Sequence, residues 1–75
     1  MTAVTLRRYY DDWQVTRGPQ RWTPPVMVRK SFGGRWVVTH RGIGKSSFPT
    51  LRDVRAWCES PDGRDWLDSL PGGAA

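Results

Sequence analysis

Apolar and polar positions alternate at the start of the chain. Val4, Leu6, Arg8 and Tyr10 fall on one side of an extended backbone, and Thr5, Arg7 and Tyr9 on the other. Period two with β-branched and aromatic residues predicts a strand, which either continues past Asp11-Asp12 or turns back there. Arg17-Gly18-Pro19-Gln20 reads as a turn or loop, and Thr23-Pro24-Pro25 as extended backbone.

The clearest unit is a hairpin. Val26-Met27-Val28-Arg29-Lys30 and Arg35-Trp36-Val37-Val38-Thr39-His40-Arg41 flank Ser31-Phe32-Gly33-Gly34. A one-residue slip would exchange the two faces, so loop length decides the pattern. A three-residue loop, Phe32-Gly33-Gly34, sets Val28 opposite Val38 and Lys30 opposite Trp36. Val26, Val28, Trp36 and Val38 then share one face, and Met27, Arg29, Arg35, Val37, Thr39 and Arg41 the other. A two-residue Gly33-Gly34 turn would instead bury Arg29. The first register separates apolar from basic far better and is preferred.

Gly42-Ile43-Gly44 reads as a flexible turn and Lys45-Ser46-Ser47-Phe48 as a short third strand stopped by Pro49. Thr50 is placed as a helix N-cap, with Thr50-Leu51-Arg52-Asp53 resembling a capping box. Leu51, Val54, Trp57 and Cys58 recur at helical spacing as one apolar stripe. Ser60-Pro61 ends that helix and can start a short second one, with Trp66, Leu67 and Leu70 as its buried face. The expected fold is α+β: an antiparallel sheet of about three strands with one helix packed on one face and room for a short C-terminal helix. It occupies a single domain over residues 1–70, with 71–75 as a flexible tail.

Composition sharpens the picture. The chain has 75 residues, five of them tryptophan, and one cysteine. The tryptophans supply core volume that so short a chain otherwise lacks. Trp13 and Trp22 lie outside the periodic segments and are, with Tyr9, the candidate exposed stacking or interface anchors. One cysteine excludes an internal disulfide framework and a cysteine zinc cluster. No apolar stretch approaches the roughly 18 residues of a membrane span, and the start lacks a secretory pattern. The expected setting is cytoplasmic, with no membrane partner and no cofactor.

Charge is unevenly placed. The net charge is +5, and no acid stands between Asp12 and Asp53. That stretch holds Arg17, Arg21, Arg29, Lys30, Arg35, Arg41, Lys45 and Arg52. Such separation attracts polyanions, and arginine forks suit phosphates and guanine edges.

Little points to catalysis. Gly42-Ile43-Gly44-Lys45-Ser46 shares the Gly-Lys-Ser ending of a phosphate-binding loop, but Phe48-Pro49 stands where a helix should follow. His40 is the only histidine, so a strand-end role or a phosphate contact is expected. Cys58 belongs to the apolar stripe. Asp11 and Asp12 suit a turn or an arginine contact, and Asp62, Asp65 and Asp68 read as solvated helix charges. An enzyme is not expected.

Residues 26–60 carry a resemblance. Gly34-Arg35-Trp36-Val37-Val38-Thr39, a glycine-bearing turn, and then Phe48-Pro49-Thr50-Leu51-Arg52-Asp53-Val54-Arg55-Ala56-Trp57 resemble small AP2-like DNA-binding modules. These include the arm-site-binding domains of phage integrases. The resemblance implies a sheet lying in the DNA major groove, with Arg29, Arg35, Thr39 and Arg41 as groove or phosphate contacts. The compact arginine-rich style is also similar to that of small actinobacterial phage proteins.

Two functions follow as expectations. The first is a nucleic-acid-binding module, duplex DNA favoured. It would contact DNA through Arg29, Arg35, Thr39 and Arg41, helped by Arg17, Arg21, Lys30, Lys45 and Arg52. The second is a modulator or inhibitor that docks on an acidic host protein with Trp and Arg hot spots. An open sheet edge could also pair with a second copy.

Overall fold

The alternation at the start of the chain forms a strand and then reverses. In the computed structural model, which describes residues 3–71, β1 spans Val4–Tyr9 and β2 spans Asp12–Arg17. They pair through the two-residue turn Tyr10-Asp11, with Leu6 opposite Val15 and Arg7 opposite Gln14. β3 (Val26–Lys30), β4 (Trp36–His40) and β5 (Ile43–Phe48) complete one antiparallel sheet in the order β1-β2-β3-β4-β5. The sheet thus has five strands, not about three. The opening strand, expected from its alternation, joins the sheet as β1, and the chain turns back at Tyr10-Asp11 to add β2, of which Val15 is the buried residue.

The β3–β4 register is the preferred one: Val28 faces Val38 and Lys30 faces Trp36. Ser31 N donates to Arg35 O at 2.8 Å and Gly34 N to Ser31 O at 3.0 Å. These bonds close the three-residue loop, and Gly34 takes φ +77° at the position that needs glycine. The next turn is shorter than expected. Arg41 (φ 56°) and Gly42 (φ 78°) form it alone, so Ile43 and Gly44 belong to β5. A bulge follows, since Val38 faces Ser46 but Thr39 faces Gly44, leaving Lys45 as the extra residue.

Two helices cover one face. α1 spans Leu51–Glu59, and Thr50 Oγ1 accepts from Asp53 N at 3.1 Å. α2 spans Pro61–Ser69, and Ser60 Oγ accepts from Gly63 N at 3.2 Å. Both caps stand where the sequence places them. Val4, Val15, Val26, Val28 and Val38 of the sheet and Val54, Cys58 and Leu67 of the helices form the buried core. Phe48, Trp57 and Trp66 run along one side as a chain of tilted rings with centroids 5.7 and 5.6 Å apart.

Trp22 belongs to this core and is not a surface anchor. It is 2% exposed, and its indole Nε1 donates to Leu67 O at 3.2 Å. The β2–β3 connection folds inward and delivers the ring beneath α2. Trp13 also lies on the helix-covered side, half-buried, with the Arg8 guanidinium 5.5 Å from its ring centre. Of the three candidate anchors only Tyr9 is exposed. Of the expected tail, residues 72–75 lie outside the described residues.

Candidate nucleic-acid interface

The face away from the helices is built by the other half of each strand's alternation. β1 contributes Thr5, Arg7 and Tyr9, and β2 contributes Asp12, Gln14 and Thr16. β3 adds Met27 and Arg29, β4 adds Val37 and Thr39, and β5 adds Ser47. No described element packs on this face. It is polar apart from Met27 and Val37, and its charges are mainly guanidinium.

Two of the arginines there have a partner among the described residues. Arg29 Nε lies 3.5 Å from Asp12 Oδ2. Arg35, just before β4, donates from Nε to Ser47 Oγ and from Nη2 to Ser47 O, both at 3.1 Å. Arg41 stands at the tip of the β4–β5 turn, not within a strand, because the turn takes only two residues. Arg29, Thr39 and Arg41 nevertheless meet around one depression of about 240 Å³, floored by Met27 and walled by Asp12, Pro24 and Pro25. Thr39 Oγ1 donates to Met27 O at 3.4 Å. Fork-shaped donors at the rim of a shallow hollow, itself lined by Met27 and two prolines, suit phosphate oxygens and base edges.

Other basic candidates stand elsewhere. Arg17 is a structural residue. It bonds Gln20 Oε1 through Nε at 3.0 Å and Nη2 at 2.6 Å, pairs with Asp68, and stacks on Trp22. It lies on the helix side because it follows Val15 by two residues. The bulge places Lys45 beside Asp62, Asp65, Trp57 and Trp66, again on the helix side. Arg52 is exposed on α1, and Arg21 is exposed on the β2–β3 connection. Lys30 lies over the Trp36 ring at 5.6 Å. Arg7 is a residue of the face that the sequence reading misses, although its place in the alternation marks it. It joins the face only because β2 pairs beside β1.

The acids are segregated too. Asp53, Glu59, Asp62, Asp65 and Asp68 all lie in the helices, leaving only Asp11 and Asp12 among the strands and turns. The helices thus hold five acids against Arg52, Arg55 and Arg64, while the strands and turns hold nine Lys/Arg against two acids. His40 is a buried strand-end residue whose Nε2 meets Pro24 O at 3.0 Å, so it does not reach a phosphate.

Cys58 is fully buried, and burial, followed by the neighbouring Glu59 charge, pushes its thiol up to about 11 from an ordinary 9.0. The unfolded chain therefore loses this proton at lower pH than the folded protein. Stability that is complete below pH 9 should be lost progressively as pH rises through 11. Denaturant melts of wild type and Cys58→Ala should show the wild-type advantage narrowing across that window. A constant gap would mean that the thiol ionises equally in both states.

Comparison with known protein families, with characterised proteins and with solved structures found no match.

Proposed function

We propose that this protein binds nucleic acid, specifically duplex DNA, through the helix-free face of its sheet. The observation that carries the reading is the gathering of Arg7, Arg29, Arg35 and Arg41 on or beside that face, while five of seven acids sit in the opposite layer. The resemblance of residues 26–60 to AP2-like DNA-binding modules supports it, since those residues are β3, β4, β5 and α1.

Dimensions suggest how the sheet sits. Four gaps of about 4.8 Å make five strands about 19 Å across, wider than a major groove of about 12 Å. Three strands span about 10 Å and fit. In this reading β3, β4 and β5 enter the groove with Arg29, Thr39 and Arg35, while β1 and β2 lie over its rim. Arg7 then meets a phosphate.

The test is binding of a labelled mixed-sequence duplex of 20–30 base pairs between 50 and 200 mM salt. Four arginine contacts, at about −0.9 each, predict a logarithmic salt slope near −3.6 and a loss of affinity of about 100-fold across that range. Absence of binding at 50 mM by the folded protein would overturn the reading. A nuclease-treated pull-down would then ask whether the basic face docks on an acidic protein.

A further inference from the structure

The turns at one end of the sheet carry two exposed aromatic rings, Phe32 and Tyr10, that neither the core nor the arginine face explains. Phe32 is fully exposed, Tyr10 is 83% exposed, and Tyr9 stands edge-on to Tyr10 with centroids 4.9 Å apart. In a meander alternate turns share an end, so the Tyr10-Asp11 turn and the Ser31–Arg35 loop project in the same direction. Two strand spacings, about 10 Å, separate them.

Both turns are built to hold a ring outward. The bonds between Ser31 and Arg35 and between Gly34 and Ser31 fix Phe32 at the apex of a closed loop. Tyr10 occupies φ 56°, a conformation costly for a bulky L-residue, and its carbonyl accepts from Arg8 Nε at 2.8 Å. Cations flank the rings: Arg8, Arg29, Lys30 and Arg35 all lie at this end of their strands. Arg29 and Arg35 also belong to the open face, so the aromatic tips continue the proposed DNA surface.

We propose that Phe32, at the tip of the β3–β4 hairpin, is a wedge that stacks against the bases of DNA held on the arginine face and bends the duplex, with Tyr10 at the rim, two strand spacings away. This rests on the DNA-binding reading. Minor-groove binders kink a duplex by inserting apolar side chains between base steps, which lets the bent DNA wrap more protein surface, and a ring at the tip of a hairpin lying in the major groove would do the same from the opposite side. DNA is taken as the occupant because Arg29 and Arg35 at this end also belong to the proposed DNA surface.

The experiment uses a duplex labelled at its ends with a donor–acceptor pair, titrated with the full chain and with Phe32→Ala. The substituted ring touches nothing in the fold, so the variant should keep wild-type tryptophan emission. Wild type should raise the transfer efficiency on binding. Phe32→Ala should bind on the order of ten-fold more weakly and leave the duplex unbent. Wild-type binding without a change in transfer would overturn the wedge and leave the DNA-binding reading standing. So would a variant that bends and binds like wild type. Failure of the wild type to bind any duplex would overturn both.

Discussion

Gly63→Ala should lower the melting temperature by about 12–24 °C, following from a loss of about 3 kcal/mol or more in a domain of this size. A methyl at Gly63 would stand 1.9 Å from Trp57 O, 2.7 Å from Trp57 C and 2.8 Å from Cys58 Cα. All three are backbone atoms of α1, so the clash is relieved only by moving the helices apart. That movement would loosen the Trp57–Trp66 contact and the Trp22–Leu67 hydrogen bond together. Trp57 O already accepts from Ser60 N at 3.0 Å and from Ser60 Oγ at 2.5 Å, so it cannot swing away cheaply. The sign of the effect discriminates. Glycine to alanine inside an ordinary helix stabilises by about 1 kcal/mol. A thermal melt of Gly63→Ala that is unchanged or raised would refute the close approach of the first turn of α2 to the backbone of α1.

The second large effect is functional. Replacing Arg29, Arg35 and Arg41 together with alanine should weaken duplex binding at low salt on the order of 100-fold or more. It should also reduce the logarithmic salt slope by about three, one for each guanidinium removed. All three side chains are exposed, and their hydrogen bonds and ion pair reach only Asp12 and Ser47. The fold should therefore survive, which tryptophan emission can check. Replacing Lys45 and Arg52 together is the matched control. Both are exposed cations on the helix side, so the slope should stay within about one of wild type. Equal losses of affinity from the two variants would mean that overall charge attracts the DNA and that no particular face holds it.

Much of this face is legible in the chain because two requirements coincide. The Phe32-Gly33-Gly34 loop permits two registers, and only one keeps Arg29 out of the core. The helix caps are legible for a similar reason, since Thr50 and Ser60 each precede an apolar stripe of period 3.6. The first hairpin is harder. A two-residue turn with positive φ usually announces itself with glycine or asparagine, and here Tyr10 fills that position. The sequence therefore leaves open whether the strand continues or turns back, and Arg7, Gln14 and Thr16 are not placed on the face. Trp22 is misread because its Pro-rich surroundings suggest a surface loop. Its burial depends on Leu67, 45 residues away. The role of Gly63 is likewise invisible in one dimension, because it depends on how sharply α2 folds back onto the end of α1. Lys45 is displaced by a bulge that no residue pattern marks.

The strand order has a consequence for how the chain reaches its native state. Every strand pairs only with its neighbour in sequence, so no pairing must wait for a distant segment to arrive. Local pairings of this kind favour rapid folding for a β-rich chain. The long closures are the ones that seat the helices, and the longest described hydrogen bond in sequence runs from Val4 N to Glu59 Oε2. Hairpins can therefore zip up in turn as the chain emerges, while the edge strand β1 gains its last tether only when α1 docks. Until then the apolar side of the sheet lies bare, and the interval before docking is when the chain is most exposed to self-association.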